Sequence, residues 1–171
     1  MKKPITTIIF VLFSILSGGC SAGCDHMQER PAGQSDVIAL ACDPIPVVRV
    51  GFIGLGMRGI GAVERFMHLD SVEVVALCDL EAENLARSQA VLREKAKPEA
   101  AEYMGPEGWK RLCERPDIDL VYISTDWLSH TPMAVYAMEQ GKHVAVEVPA
   151  AVTVEECWKL VDTAEKTRRH C

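Results

Sequence analysis

The sequence predicts a doubly wound α/β domain, a parallel β-sheet covered by helices on both faces, and three observations predict it. Short runs of β-forming residues recur four times from Val47 onward, the long gaps between them carry helical periodicity, and the first run closes on glycines that open a helix. Parallel neighbours need crossovers of that length, and alternating strands and helices build layered parallel sheets.

The first strand is expected over residues 47–53, a buried run bounded by glycine, with a helix after the glycine turn. A second strand follows over 72–78, then a helix with Ala82, Leu85, Ala86, Gln89 and Leu92 on one face. Trp109, Leu112 and Cys113 give the i, i+3, i+4 spacing of a shorter helix. Residues 120–124 read as the third strand. Thr131 can then cap a helix with Pro132 at its first position, Ala134, Ala137 and Met138 facing inward, and Gly141 as its stop. Residues 143–148 make the fourth strand. Thr153 and Glu156 form a capping box ahead of an apolar stripe of Val154, Cys157, Trp158 and Val161. The order is β-α-β-α-α-β-α-β-α, and no internal repeat competes with it.

The 171 residues carry a net charge of −6, with 49% hydrophobic and 25% charged residues. That composition fits one globular domain and excludes disordered and collagen-like chains. An acidic chain without a basic patch is a poor binder of phosphate backbones, so no nucleic-acid partner is expected. Lys2 and Lys3 precede an apolar run from Ile8 to Leu16 and the small residues Ser17, Gly18 and Gly19, which together read as a secretory signal over residues 1–19. The run is too short to span a bilayer. Small residues directly before Cys20 resemble a bacterial lipobox, making Cys20 the expected lipidation site and a lipid anchor the expected membrane contact. Removing the two lysines with the signal takes the net charge from −6 to −8. Residues 20–46, with Pro31, Gly33, Pro44 and Pro46, read as a tether to a folded domain over 47–171. With Cys20 and Cys24 set aside, the other five of the seven cysteines form no metal-like Cys-x-x-Cys pair, so no metal is expected, and Cys78, Cys113 and Cys157 fall where small buried hydrophobes belong.

Gly54-Leu55-Gly56-Met57-Arg58-Gly59 matches G-x-G-x-x-G between the first strand and its helix. Gly54 allows the tight turn, Gly56 lets backbone N–H groups approach a pyrophosphate, and Gly59 lets helix and sheet pack closely, while the helix N-terminus supplies partial positive charge. Asp79 closes the second strand at the spacing where a carboxylate meets the adenosine ribose hydroxyls. Leu80 and Glu81 follow it, rather than an arginine for a 2′-phosphate, which favours NAD over NADP. Arg58 either lies over the phosphates or is a solvated surface residue.

Ligands of open α/β sheets bind beyond the carboxyl ends of the strands. The third strand end leads into Trp127, Leu128, Ser129 and His130, and the fourth ends at Glu147, Val148 and Pro149. Trp127 either packs against a cofactor or belongs to the core. His130 either donates to a phosphate, ribose or substrate group or simply starts a helix. Glu147 either binds hydroxyls or stays solvated.

With these residues placed, 47–171 resembles the cofactor-binding half of the Gfo/Idh/MocA superfamily, a Rossmann-type doubly wound sheet. Residues 52–59, Cys78-Asp79, Thr125-Asp126-Trp127 with His130 and Pro132, and 141–149 are most similar to family 109 glycoside hydrolases, NAD-dependent α-N-acetylgalactosaminidases. Ordinary dehydrogenases of the superfamily end the fourth strand Glu-Lys-Pro. Val148 stands here in place of that lysine, as in family 109. The resemblance implies NAD contacts at Met57, Arg58, Asp79, Trp127, Leu128, Ser129, His130, Glu147 and Val148. It also implies redox-assisted elimination: hydride leaves sugar C3 for NAD+, the acidified C2 proton is removed, the C1 group is expelled, water adds, and the hydride returns. The substrate so implied is a glycan with terminal α-linked N-acetylgalactosamine.

The resemblance further implies a second, α+β domain holding the sugar pocket and the acid-base residues, so the catalytic residues are expected beyond residue 171 and the chain alone should hydrolyse nothing. Two other classes stay open. One is an exported NAD-dependent sugar oxidoreductase or dehydratase, and the other is a non-catalytic nucleotide-binding remnant. Export to the periplasm or anchorage at the outer membrane is the expected location. Oligomeric state is left open.

Overall fold

All four expected strands form, and a fifth joins them in a wholly parallel sheet of order β3-β2-β1-β4-β5. The structure, a computed structural model, describes residues 30–171. The signal segment and Cys20 lie outside the described residues. Residues 34–171 form one unit; of the preceding unit only 30–33 are described, as a turn.

The chain runs β1 (Val48–Ile53), α1 (Met57–Phe66), β2 (Val72–Asp79), α2 (Ala82–Glu94), β3 (Ala101–Met104), α3 (Gly108–Cys113), β4 (Leu120–Ile123), α4 (Trp127–Glu139), β5 (His143–Val146) and α5 (Val154–Thr167). β3 escaped the sequence reading. Its four residues contain no β-branched side chain, three of them are exposed, and it pairs only with β2 at the sheet's edge, where short strands blunt unwanted pairing.

Alternation along β1 divides the interior in two. Val50 and Phe52 face a core with Leu55, Ala62, Val63, Leu77, Leu85 and Leu92, under α1 and α2. Ile53 faces the other core, with Leu112, Val121, Ile123, Ala134, Met138 and Leu160, under α3, α4 and α5. A Cβ on Gly51 would come within 2.7 Å of the Leu112 side chain, so α3 lies close against this strand. At the sheet's lower end Arg49 donates twice to Asp119, at 3.1 Å each, joining β1 to the turn before β4.

Four expectations are corrected. First, α4 begins at Trp127 with Asp126 as its cap, not at Pro132 with Thr131 as its cap. Pro132 therefore lies inside the helix, and the Thr131 hydroxyl donates instead to the Ala150 carbonyl. Gly141 does end α4: at φ +78 it donates to Met138 O while Lys142 N reaches Ala137 O, the paired bonds of a Schellman motif. Second, the capping box of α5 forms, but its expected stripe does not pack: Val154, Cys157, Trp158 and Val161 are exposed, and Leu160 and Ala164 carry the packing against α4. The helix has two apolar lines, and the line of Leu160 and Ala164 is the one that enters the core with α4. Third, Ala82 and Ala86 of α2 are exposed, while Ser88 joins Leu85, Gln89 and Leu92 on the buried face. Fourth, residues 34–42 are not a free tether. Gln34 donates to Glu165, Arg168 donates to the Ser35 and Asp36 carbonyls, and Val37 packs on the α3-α4-α5 core.

Cys78 and Cys113 are buried as expected, and burial pushes both thiols up to about 12, so neither is a ready nucleophile.

Candidate dinucleotide-binding cleft

The sheet order reverses between β1 and β4, and the cleft opens above that point, where crevices form in such sheets. A main cavity of about 520 Å³ is lined by Gly54, Gly56, Asp79, Asn84, Trp109 and Ser129 among others. A smaller one of about 260 Å³ is lined by Arg58, Ser124, Thr125, Trp127, His130, Glu147 and Val148.

The glycine turn leaves little choice of residue at two positions. Gly54 sits at φ +84, and a Cβ there would meet Ser124 O at 2.5 Å. A Cβ on Gly59 would lie 1.9 Å from Gly54 O. Gly56 differs, since a Cβ would meet nothing within 4 Å. That open side faces the main cavity, so bare backbone at the start of α1 is available to a ligand. Gly56 caps α1 without any side-chain bond, and no acidic residue lies in the helix's first turn. The N–H groups of this helix end are therefore left for an anion.

Asp79 is held on every side. Its Oδ2 accepts from Leu55 N at 2.6 Å, and its Oδ1 accepts from Glu81 N at 2.9 Å and Asn84 Nδ2 at 3.0 Å. The carboxylate thus ties the glycine turn to the end of β2 and presents its remaining lone-pair capacity to the cavity it lines. Ser124 closes the other side of the turn by donating to Gly54 O at 2.7 Å.

At the β4 and β5 ends, His130 is buried, and its Nδ1 lies 2.8 Å from the Pro149 carbonyl. A carbonyl can only accept, so Nδ1 carries the proton and neutral Nε2 is a bare acceptor. Nε2 has no partner among the described residues, although the side chain lines the smaller cavity. The donor role expected from the sequence therefore requires the charged imidazolium, whereas the neutral ring accepts a hydroxyl. Tyr122 donates to Glu147 Oε1 at 2.7 Å. That bond first, with the Arg58 and Arg65 charges behind it, holds the Glu147 carboxyl below the usual range and keeps it ionised. Asp126 caps α4 by accepting from Leu128 N at 3.0 Å, Ser129 N at 3.2 Å and Ser129 Oγ at 2.6 Å.

The structure brings together most of the residues the sequence singled out. Gly54, Gly56, Asp79 and Ser129 meet in the main cavity, and Arg58, Trp127, His130, Glu147 and Val148 in the smaller one. Met57 and Leu128 are exposed and line neither, and Gly59 acts on the turn rather than on the cavity. Asn84, Trp109 and Tyr122 were missed. Trp109 reads from sequence as a helix-face residue, and Tyr122 as an ordinary strand residue until its bond to Glu147 is seen.

The residues fit a dinucleotide: a glycine with open space at a helix N-terminus, an anchored carboxylate at the next strand end, and an orphaned buried acceptor across the cleft. Fold and site define a dinucleotide-binding Rossmann domain. The model of the oxidoreductase family with an NAD-binding Rossmann fold, Gfo/Idh/MocA, matches residues 48–171, and the chain belongs to that family. It is 62% identical over 142 residues to an α-N-acetylgalactosaminidase of Bacteroides fragilis, covering 83% of this chain and 33% of that protein. It is also 62% identical over 165 residues to glycosyl hydrolase family 109 protein 1 of the same species, covering 94% of this chain and 36% of that one. The chain thus spans about a third of the length of the curated relatives it matches. Among solved structures, myo-inositol dehydrogenase of Lactobacillus casei in complex with NAD(H) and myo-inositol is 30% identical with a TM-score of 0.58, covering 68% of this chain and 33% of that chain.

Proposed function

We propose that residues 48–171 are the NAD platform of a longer glycosidase that removes terminal α-linked N-acetylgalactosamine by redox-assisted elimination. The observation that carries this reading is the 62% identity to a relative named for that activity. Val148, in the position where ordinary dehydrogenases of the superfamily carry a lysine, supports it, because a valine neither donates a proton nor stabilises an alkoxide.

When bound, NAD supplies a reversible hydride acceptor, so that oxidation and reduction cancel and the net reaction is hydrolysis. The chain's own residues bind and orient. Gly56 and the α1 N-terminus take the diphosphate, Asp79 takes ribose hydroxyls, and Arg58 neutralises phosphate charge. Exposed Trp127 and Val148 offer apolar contact beside the ionised Glu147, which accepts from ribose or sugar hydroxyls. His130 Nε2 accepts a further hydroxyl. We assign no proton-transfer role to these residues.

Two measurements test the reading. Titration of this chain with NAD is expected to give saturable one-to-one binding with preference over NADP; failure to bind would sink it. A longer protein encoded by reading on past Cys171 should release nitrophenol from a nitrophenyl α-N-acetylgalactosaminide without accumulating NADH, whereas this chain alone releases none. NADH accumulation would instead mark a sugar dehydrogenase. We also propose that Cys20 carries a lipid anchor in an exported protein. Incorporation of labelled palmitate that persists in Cys20→Ala would overturn that.

A further inference from the structure

A second group of chemistry-bearing side chains lies at the far end of the sheet from the cleft. Cys42, His143 and His170 each offer one ligand atom, and these atoms all lie within 4.8 Å of one another. They are remote in sequence and meet because of the topology. His143 is the first residue of β5, and α5 ends at Arg168 in the left-handed region, φ 54, which turns the chain back along β5. Val144 N then donates to His170 O at 2.9 Å, and His170 N reaches His143 Nδ1 at 3.1 Å. The segment holding Cys42 is drawn in by His170 Nε2, which lies 3.1 Å from the Leu40 carbonyl.

The hydrogen bonding matches that of a metal-binding imidazole. Donation from His170 Nε2–H to Leu40 O leaves Nδ1 unprotonated, as second-shell carbonyls do for metal-bound histidines. That Nδ1 sits 3.2 Å from His143 Nδ1. Two nitrogens bound tetrahedrally to zinc at about 2.0 to 2.1 Å lie about 3.3 Å apart, and a thiolate at about 2.3 Å lies about 3.6 Å from each. Cys42 is exposed and in no disulfide among the described residues, so rotation of its side chain closes the remaining gap of about 1 Å. Without a cation, His143 Nδ1 accepts from His170 N–H, and an ion bound there takes the place of that donor.

We propose that Cys42, His143 and His170 bind one divalent transition-metal ion of zinc's class, leaving its fourth position to water, and that the ion clips residues 34–42 to the edge of β5. One thiolate and two imidazoles select zinc or cobalt(II) over magnesium or calcium.

The test is titration of the 171-residue chain with cobalt(II) in thiol-free buffer. Expected is one ion per chain, with the d–d spectrum of a tetrahedral site and a thiolate-to-cobalt charge-transfer band. Cys42→Ser should abolish that band, and His143→Ala and His170→Ala should each weaken binding at least tenfold, while Cys157→Ser and Cys171→Ser leave both unchanged. Zinc should protect Cys42 from alkylation. No binding, or a band that survives Cys42→Ser or is lost in Cys171→Ser, overturns the proposal. NAD affinity serves as the folding control, and if a histidine variant loses it, Cys42→Ser on an exposed coil residue decides the question alone.

Discussion

The two sides of the cleft are built differently. Where β1 and β2 end, the side chains are held by the backbone they touch: Asp79 accepts three bonds and Ser124 locks Gly54, leaving the α1 N-terminus open to a ligand. Where β4 and β5 end, His130 Nε2 has no partner among the described residues, while Trp127 and Val148 stand in solvent. The first side is pre-organised and meets a ligand with little rearrangement, so its affinity is not spent on ordering. The second holds groups whose partners must come from elsewhere. A binding half can be complete while the half that faces chemistry waits for substrate.

The harshest way to break the finished side is Gly59→Val. A Cβ 1.9 Å from a backbone oxygen cannot be relieved by a side-chain rotation, so a loss above about 3 kcal/mol in denaturant unfolding is expected. Asp79→Ala follows. It leaves the N–H of buried Leu55 unpaired, which should cost about 1 to 3 kcal/mol, and calorimetry should record weaker NAD binding with the preference over NADP reduced.

The unfinished side should respond in binding rather than stability. Trp127→Ala removes an exposed ring and should change stability by less than about 0.5 kcal/mol while weakening NAD binding by about threefold to tenfold, the range of one aromatic contact. Equal losses in both quantities would show that the ring is core and erase the contrast.

The smallest effect concerns acid. The Ser129 hydroxyl, ahead of two backbone N–H groups, holds Asp126 below the usual carboxylate range. Its stabilisation is therefore fully present above the ordinary pKa of about 4 and is lost as pH falls through the lowered folded value. The stability gap between wild type and Ser129→Ala should be widest at neutral pH and close in acid, as unfolding curves at several pH values would record.

Periodicity and glycine chemistry made the sheet's centre and the finished side of the cleft readable from sequence, because those features are local. What was missed is decided at a distance. β3 has no β-branched residue and exists because β2 offers an edge. Read from sequence, α4 starts five residues late because Thr131 and Pro132 carry strong start signals, yet Asp126 supplies the cap and Thr131 is spent on Ala150. α5 carries two candidate faces, and only α4 decides between them. The meeting of Cys42, His143 and His170 has no sequence spacing to betray it.

The contrast between two helix ends has one more consequence. α1 offers its N-terminus without any side-chain cap, whereas the N-terminus of α4 is already answered by the ionised Asp126. An anion arriving between them feels attraction from one end and repulsion from the other. A two-ended ligand with its negative charge off-centre is thereby sorted before it makes close contact, and the same chain that fixes where it lies also fixes which way round.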